Sequence, residues 1–406
     1  MILMQYDLNN EITFLYPSRG IDFYELKKMI PLAPFDDRII MFLNSLSSEL
    51  MRNPAVRLMP DVVTFAFFCR KANMLRQKKM YMPSGKRLGR GIVFHIAPSN
   101  VPVNFAYSLV CGLLGGNINV VRVPSKDFPQ VDIIVKAIAK VMTLPENRGM
   151  ENYIILVRYD RGGKVTDLLS SLCDVRVIWG GDQTIGNIRQ SSIPPRAFDI
   201  TFADRYSICV IDANNYLKEG DAVKIAENFY NDTYLFDQNA CSAPHLVIWK
   251  GKNQIVKEAK KIFWNALYEV VRQKYVLADI LAIDKLTAFY FQSINMNIHR
   301  KDNRDNLLWR VEIEDLPVDI ENYRCKAGYF TEYTTDNLEC LNKIINRKYQ
   351  TLAYFGFSVN ELKTFIDNIH PVGIDRIVPI GKTTEFSLVW DGYNMLQALT
   401  REIVVI

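Results

Sequence analysis

From residue 91 onward, short apolar runs alternate with longer stretches whose apolar positions recur every three or four residues. GIVFHIA (91–97), INVVRV (118–123), NYIILVRY (152–159) and DVRVIW (174–179) have the length and β-branched character of strands. VNFAYSLVCGLL, QVDIIVKAIAKVM, VTDLLSSLC and DQTIGNIRQ, which follow them in turn, carry helical spacing. Strand–helix repeats at this pitch call for right-handed crossovers and a parallel sheet covered on both faces. The pattern predicts a doubly wound α/β domain with ligands at the carboxyl ends of its strands. A second alternation runs through YSICVID (206–212), DAVKIAENFY, HLVIWKG (245–251), the amphipathic NQIVKEAKKIFWNALYEVVRQ (253–273) and QTLAYFGF (350–357).

Outside these repeats the pattern changes. Before about Tyr81 it is helical, as in FYELKKMI and DRIIMFLNSLSSELM, and the Gly- and Lys-rich MPSGKRLGRG (82–91) reads as the entry to a new domain. Residues 297–319, opening with NIHRKDNRDN, are polar and charged and read as a surface excursion. A chain of 406 residues suits two or three domains. No uncharged apolar run reaches the roughly 18 residues a membrane span needs. The start, MILMQYDLNNEITF, lacks a basic n-region and a cleavage site, and the seven cysteines follow no disulfide framework, so free thiols in a reducing cytoplasm are expected.

Charge and metal chemistry add little. The net charge of +5 is dispersed, and Arg70, Lys71, Arg76, Lys78 and Lys79 read as a solvated helix face. There is no CxxC or HExxH, and four scattered histidines do not make a zinc site.

Cysteine placement is more telling. Cys69, Cys111, Cys173 and Cys209 sit inside apolar runs, where a thiol behaves as a small buried hydrophobe. Cys241, in DQNACSAPH (237–245), instead follows a polar turn and leads an apolar strand, a setting in which a thiolate can form. The residues alone leave open a nucleophile or a half-buried structural thiol. In HIAPSNVP (95–102) the prolines restrict the backbone around Asn100, whose amide can then serve an oxyanion or bond its own turn. His95, inside the strand, reads as structural. Gly180 and Gly181 end a strand and open a helix containing Thr184, so backbone there can approach a phosphate or ribose. Arg122, Ser125 and Lys126 lie just past another strand, where a cofactor ribose rests in such sheets. No GxGxxG accompanies them.

Taken in order from about residue 89 to 401, HIAPSNVP, GGNINVVRVPS, VIWGGDQTI, DQNACSAP, QTL (350–352), GIDRIVPIG and VWDG resemble the aldehyde dehydrogenase superfamily. Within it, the sequence resembles the Lux-type fatty acyl reductases of bacterial bioluminescence. The resemblance covers roughly three quarters of the chain. It implies an aldehyde-dehydrogenase-like α/β fold: a doubly wound parallel-sheet nucleotide-binding domain plus an α/β catalytic domain carrying the nucleophilic cysteine. The expected divisions are a helical segment 1–80, a nucleotide-binding domain 81–205, a catalytic domain 206–375, and a segment 376–406 that returns to the nucleotide-binding domain or forms an oligomer interface.

PSNVP is similar to the dehydrogenase PWNFP segment, which implies Asn100 as the oxyanion amide. DQNACSA is similar to the segment around the catalytic cysteine, which implies Cys241 as nucleophile, with Gln238 orienting the loop and Asp237 capping it. VPSK departs from the dehydrogenase KPSE: Val123 replaces the lysine and Lys126 the glutamate. A cation there attracts a 2′-phosphate, so the resemblance implies NADPH. TFADRYS stands in for ELGGK and puts Thr201 where a water-activating glutamate is expected. A threonine hydroxyl is a poor general base. The implied activity is NADPH-dependent reduction of an acyl-CoA or acylated carrier to the aldehyde, by a cytoplasmic homo-oligomer beside an acyl-activating synthetase and without nucleic acid. The alternatives are an NAD(P)-dependent aldehyde dehydrogenase and a non-catalytic scaffold for an acyl synthetase.

Overall fold

The computed structural model describes residues 11–98, 101–160 and 164–406. Residues up to Ala203 together with Ser387–Ile406 form one compact unit, and Asp204–Phe386 form the other.

The first unit is built on a six-stranded sheet. Its strands are β1 (Thr13–Tyr16), β3 (Ile92–Ile96), β4 (Ile118–Arg122), β5 (Ile154–Arg158), β6 (Val175–Trp179) and β7 (Phe198–Phe202), in the order β1-β5-β4-β3-β6-β7; a short β2 (Lys86–Gly89) precedes β3 outside it. β1 runs antiparallel to β5, and every other pair is parallel. Helices α1 (Asp37–Arg52), α2 (Pro60–Phe68) and α3 (Lys71–Tyr81) come before the sheet crossovers α4 (Asn104–Leu114), α5 (Pro129–Met142), α6 (Lys164–Leu172) and α7 (Asp182–Ile188). The chain steps outward from β3 to β4 and β5, then returns to the far side of β3 for β6 and β7. That reversal places a topological switch point at the carboxyl ends of β3 and β6. β3 and β6 are buried at every position, which is why both read as unbroken apolar runs.

Two local features fix the entry to β4. Gly116 has φ +80°, and a Cβ there would lie 2.2 Å from the Leu32 carbonyl oxygen, so only glycine fits the turn. Behind it His95 is fully buried, with Nε2 3.0 Å from Asn119 Oδ1 and Nδ1 2.8 Å from Ser108 Oγ. Burial pulls its pKa down to about 4, so it is a neutral, structural histidine.

The second unit holds a seven-stranded sheet made of β8 (Tyr206–Asp212), β9 (Pro244–Lys250), β10 (Ile298–Arg304), β11 (Leu308–Ile313), β12 (Tyr329–Thr335), β13 (Tyr349–Phe355) and β14 (Arg376–Pro379). Their order is β10-β11-β12-β9-β8-β13-β14, and only β10 is antiparallel to its neighbour. The period of two along β8 splits its side chains between two cores. Cys209 and Ile211 join the one containing residues of α8 (Ala213–Glu219), α9 (Ala222–Thr233) and α10 (Asn253–Lys274), while Ile208 and Val210 join the other. α11 (Asp279–Asn295) and α12 (Val359–Ile369) complete the unit. The chain then returns to the first unit through β15 (Val389–Trp390), β16 (Tyr393–Asn394), α13 (Met395–Leu399) and β17 (Thr400–Ile403), and β17 pairs antiparallel with β2.

Two expectations are corrected. Residues 297–319 contain strands β10 and β11; β10 is an exposed edge strand, and charges on an edge protect it from unwanted pairing, which disguises it as loop. The first eighty residues are not all helical in pattern: β1 lies on the sheet edge, and FYELKKMI forms only a 3₁₀ turn, Glu25–Lys28. No helix among the described residues is long and apolar enough to cross a membrane.

Candidate active site

Cys241 owes its position to the loop that precedes it. After α9 and a 3₁₀ turn, Asp237 and Gln238 both adopt left-handed backbone, φ +51° and +59°. For residues other than glycine this costs on the order of 1 kcal/mol each, so the surroundings must hold them there. The buried Gln238 amide supplies the hold. Its Nε2 donates to the Pro244 and Tyr329 carbonyls at 2.8 and 3.1 Å, and its Oε1 accepts from the Gly328 and Tyr329 amides at 2.9 and 3.2 Å. A carboxylate could not donate, so glutamine is the residue type the loop requires. Asp237 is fastened by the Tyr275 hydroxyl, which donates to Oδ1 at 2.6 Å, and its carbonyl accepts from Ala327 N at 3.0 Å. Gln238 thus fixes the turn, and Asp237 stands at the C-cap of the 3₁₀ turn.

The turn delivers Cys241 to the amino edge of the sheet, three residues ahead of β9, where β13, β8 and β9 begin side by side. Ser207, second in β8, donates from Oγ to the Cys241 carbonyl at 2.7 Å and accepts from Thr351 N at 3.1 Å. One hydroxyl thereby ties three segments together. Gln350, second in β13, is buried and donates from Nε2 to Cys241 Sγ at 3.3 Å. Its Oε1 accepts from Thr351 Oγ1 at 3.3 Å, which sets the amide so that its N–H side faces the sulfur.

Both ladders slip here. The β13–β8 register shifts between Tyr349 and Leu352, and the β8–β9 register shifts between Ser207 and Ile208. Such irregularities re-aim side chains, and Ser207 and Gln350, which both bond Cys241, lie at these two shifts. Among the other cysteines, Cys69, Cys111, Cys173 and Cys209 are buried, and burial pushes each thiol up, Cys173 to about 12. Cys241 is only half-buried.

The cofactor candidates belong to the first unit. Arg122 ends β4; its Nη2 donates to the Tyr159 carbonyl at 3.1 Å and its guanidinium lies 4.8 Å from the Tyr159 ring centroid. Ser125 and Lys126 follow and are exposed, with Lys126 Nζ 5.1 Å from the Phe128 ring centroid. Gly180 and Gly181 follow β6 and lead into α7, where Thr184 is exposed. A Cβ on Gly180 would press on Thr184 at 3.0 Å, whereas one on Gly181 would meet nothing within 4 Å. The structure therefore brings the two groups to the carboxyl edge of one sheet, separated by β3 alone. Bare backbone with open space, a hydroxyl and an exposed cation form a donor set that suits a phosphorylated ligand. Thr201 lies half-buried on β7, opposite Ile178. Asn100 lies outside the described residues.

The sequence pattern assigns no role to Ser207 and shows Gln350 only within QTL (350–352). The signal was present in both cases: a polar residue at the second position of an apolar strand, in YSICVID and YQTLAYF.

A family model described as acyl-CoA reductase (LuxC) matches residues 61–402. The long-chain acyl-protein thioester reductase of Aliivibrio fischeri is 22% identical over 335 residues, and that of Vibrio harveyi 23% over 334. Each match spans 79% of this chain and 66% of the relative's length. Among solved structures, aldehyde dehydrogenase 21 of Physcomitrella patens superposes with TM-score 0.67 at 11% identity, covering 93% of this chain and 87% of that one. Lactaldehyde dehydrogenase of Escherichia coli gives 0.64 at 13%, covering 94% and 88%. The fold is thus aldehyde-dehydrogenase-like, and with more than four fifths of its length inside the family match, the chain belongs to the LuxC acyl-CoA reductase family.

Proposed function

We propose that this chain reduces an acyl thioester, carried on CoA or on a protein, to the aldehyde through an acyl-enzyme on Cys241. The observation that carries the reading is the half-exposed Cys241 sulfur, held at a bulged sheet edge with the Gln350 amide donating to it. A donor 3.3 Å from sulfur favours the thiolate over the thiol, and the thiolate is the nucleophile. Attack on the thioester carbonyl forms the new Cys241 thioester and expels the carrier thiol. Asn100 and the Cys241 backbone N–H are the donors assigned to the intervening oxyanion. Ser207 and Gln238 keep the loop fixed while its sulfur changes partners.

Gly180, Gly181 and Thr184 on one side of β3, and Arg122, Ser125 and Lys126 on the other, are the groups assigned to NADPH. When bound, the cofactor would supply the hydride that converts the Cys241 thioester to aldehyde and returns Cys241 as the thiolate. Lys126, exposed where a carboxylate would exclude a 2′-phosphate, selects the phosphorylated form. Thr201 provides a hydroxyl and no carboxylate, so water is not activated against the acyl-enzyme, which disfavours a hydrolytic aldehyde dehydrogenase. Seven free thiols fit a reducing cytoplasm, and an acyl-activating synthetase is the partner this chemistry calls for.

Mixing the chain with a long-chain acyl-CoA tests the reading. Without nucleotide, about one equivalent of CoA thiol should be released with the acyl group on Cys241, and later addition of NADPH should yield the aldehyde. Aldehyde formation without prior thiol release removes the acyl-enzyme, and thiol release without aldehyde leaves only a transferase.

A further inference from the structure

The positive charge of this chain is concentrated in one segment. Residues 52–90 hold ten lysines and arginines against a single acid, Asp61, so the remainder of the chain is net acidic. Within that segment α3 carries no acid at all. Its inward side is Met74 and Gln77, both buried, with Lys78 half-buried and donating to the Phe35 carbonyl at 3.3 Å. Its outward side is two rows at a spacing of four, Lys71, Leu75 and Lys79 in one and Ala72, Arg76 and Met80 in the next. All six are exposed.

A solvated helix face, which the sequence suggests here, intersperses both signs of charge and shows few large apolar residues. This one does neither. Leu75 and Met80 are 47 and 61% exposed, and the flanking Phe67 and Met82 are 44 and 45% exposed. The Arg70 guanidinium lies over the Phe67 ring, 3.7 Å from its centroid. Among the described residues, Arg70, Lys71, Arg76 and Lys79 form no ion pair. Glu49 on α1 pairs instead with Lys140 at 2.7 Å, and Asp61 on α2 accepts from Gln130 at 3.3 Å.

Four cations without acids call for an anionic partner, and the apolar tips say which kind. A protein interface gathers apolar side chains at its centre, keeps charge at the rim and is poor in lysine. Here Leu75 stands between Lys71 and Lys79, and Met80 follows Arg76, so cations and apolar tips are intermixed. A bilayer surface offers partners to both at every point, anionic headgroups above and acyl chains just below. We propose that α3, with Phe67, Arg70 and Met82, seats this chain on an anionic lipid surface. Leu75 and Met80 enter the surface while Lys71, Arg76 and Lys79 hold headgroups. This rests on charge and exposure alone and stands whether or not Cys241 is the nucleophile.

Co-sedimentation of the full chain with lipid vesicles tests it. The chain should pellet with phosphatidylcholine vesicles containing about a third phosphatidylserine, stay in solution with phosphatidylcholine alone, and be released by about 0.5 M salt. Lys71→Glu combined with Lys79→Glu should lower the partition coefficient by about a hundredfold or more. Lys257→Glu with Lys261→Glu, an equal change of charge at exposed positions of α10, should leave it nearly unchanged. Leu75→Ser with Met80→Ser keeps the charge and should lower the coefficient by about tenfold. Unchanged thermal unfolding shows that each variant is folded. No pelleting with anionic vesicles, equal losses from the α3 and α10 charge reversals, or indifference to loss of the two apolar tips overturns the proposal. So does binding of polyglutamate by a chain that ignores the vesicles, which would assign the face to an acidic protein.

Discussion

The two parallel sheets offer their chemistry at opposite edges. In the first unit Ser125, Lys126, Gly181 and Thr184 stand past the carboxyl ends of β4 and β6, on ladders whose register is unbroken from β5 to β7. In the second, Cys241, Ser207 and Gln350 stand at the amino ends of β9, β8 and β13, where two successive ladders slip. A regular parallel sheet opens a crevice at its carboxyl edge by topology, and any ligand with phosphates can use the backbone there. The amino edge gives no such opening. A site there has to be made residue by residue, with left-handed Asp237 and Gln238, a buried glutamine and a bridging serine. On the proposed function, one edge holds a ligand and the other fixes one reactive atom.

The sharpest break of this contrast compares two cysteines of the second unit. Cys209 sits on β8 inside the core, and burial pushes its thiol well above the usual range. Cys241→Ala should lower acyl-CoA-dependent thiol release by at least about 10⁴-fold, the scale of losing a covalent nucleophile. Cys209→Ala should leave that rate unchanged and cost about 1 kcal/mol of stability through a small cavity. Labelled acyl-CoA followed by peptide mapping reads the first effect, and urea unfolding the second. Label on any peptide other than that of Cys241 would end the assignment.

The next effect concerns the bulged edge itself. If the Gln350 amide supports the thiolate, Gln350→Leu should slow iodoacetamide alkylation of Cys241 at pH 7 by about tenfold, the equivalent of one charge-assisted hydrogen bond. Gln350→Glu should slow it further, because a carboxylate faces the thiolate with like charge. A purely structural role predicts the opposite ranking, since glutamate keeps the shape and leucine does not. Equal rates in all three proteins would show that the contact does nothing for reactivity.

How far the sequence alone reaches follows from the same contrast. The parallel strands of the first unit are legible because burial on both faces writes an apolar run into each, and helical spacing separates them. The setting of Cys241 is legible because a thiol in a polar turn is out of place, but its role as nucleophile, like that of Gln238 in its loop, comes from the family resemblance. Ser207 and Gln350 show in the sequence only as polar residues at the second position of apolar strands, and that they meet at Cys241, where two ladders shift register, is not encoded in any local pattern. β10 is hidden for another reason: an edge strand carrying His299, Arg300, Lys301 and Asp302 has the composition of a loop.

The smallest effect belongs to the carboxyl edge of the first unit, the edge proposed to hold the nucleotide. Lys126 is exposed beyond β4, and Arg122 is engaged with the Tyr159 carbonyl and ring, so the lysine is the cation presented at the rim. An exposed pair is partly screened by water and salt, so its contribution to binding a 2′-phosphate is on the order of 1 kcal/mol. The unmodified protein should therefore favour NADPH over NADH by about tenfold in dissociation constant. Lys126→Glu replaces attraction with repulsion and should bring the two affinities together or reverse them, while NADH binding itself moves little. Titration of the chain's tryptophan fluorescence with each nucleotide gives all four constants without any turnover, so the outcome is independent of Cys241. Raising the salt concentration should shrink the NADPH preference of the unmodified protein, since the Debye length falls to about 3 Å at 1 M. If the unmodified chain binds NADH more tightly, or if Lys126→Glu weakens both nucleotides alike, Lys126 does not read the phosphate, and the carboxyl edge distinguishes its ligands by some group other than its exposed cation.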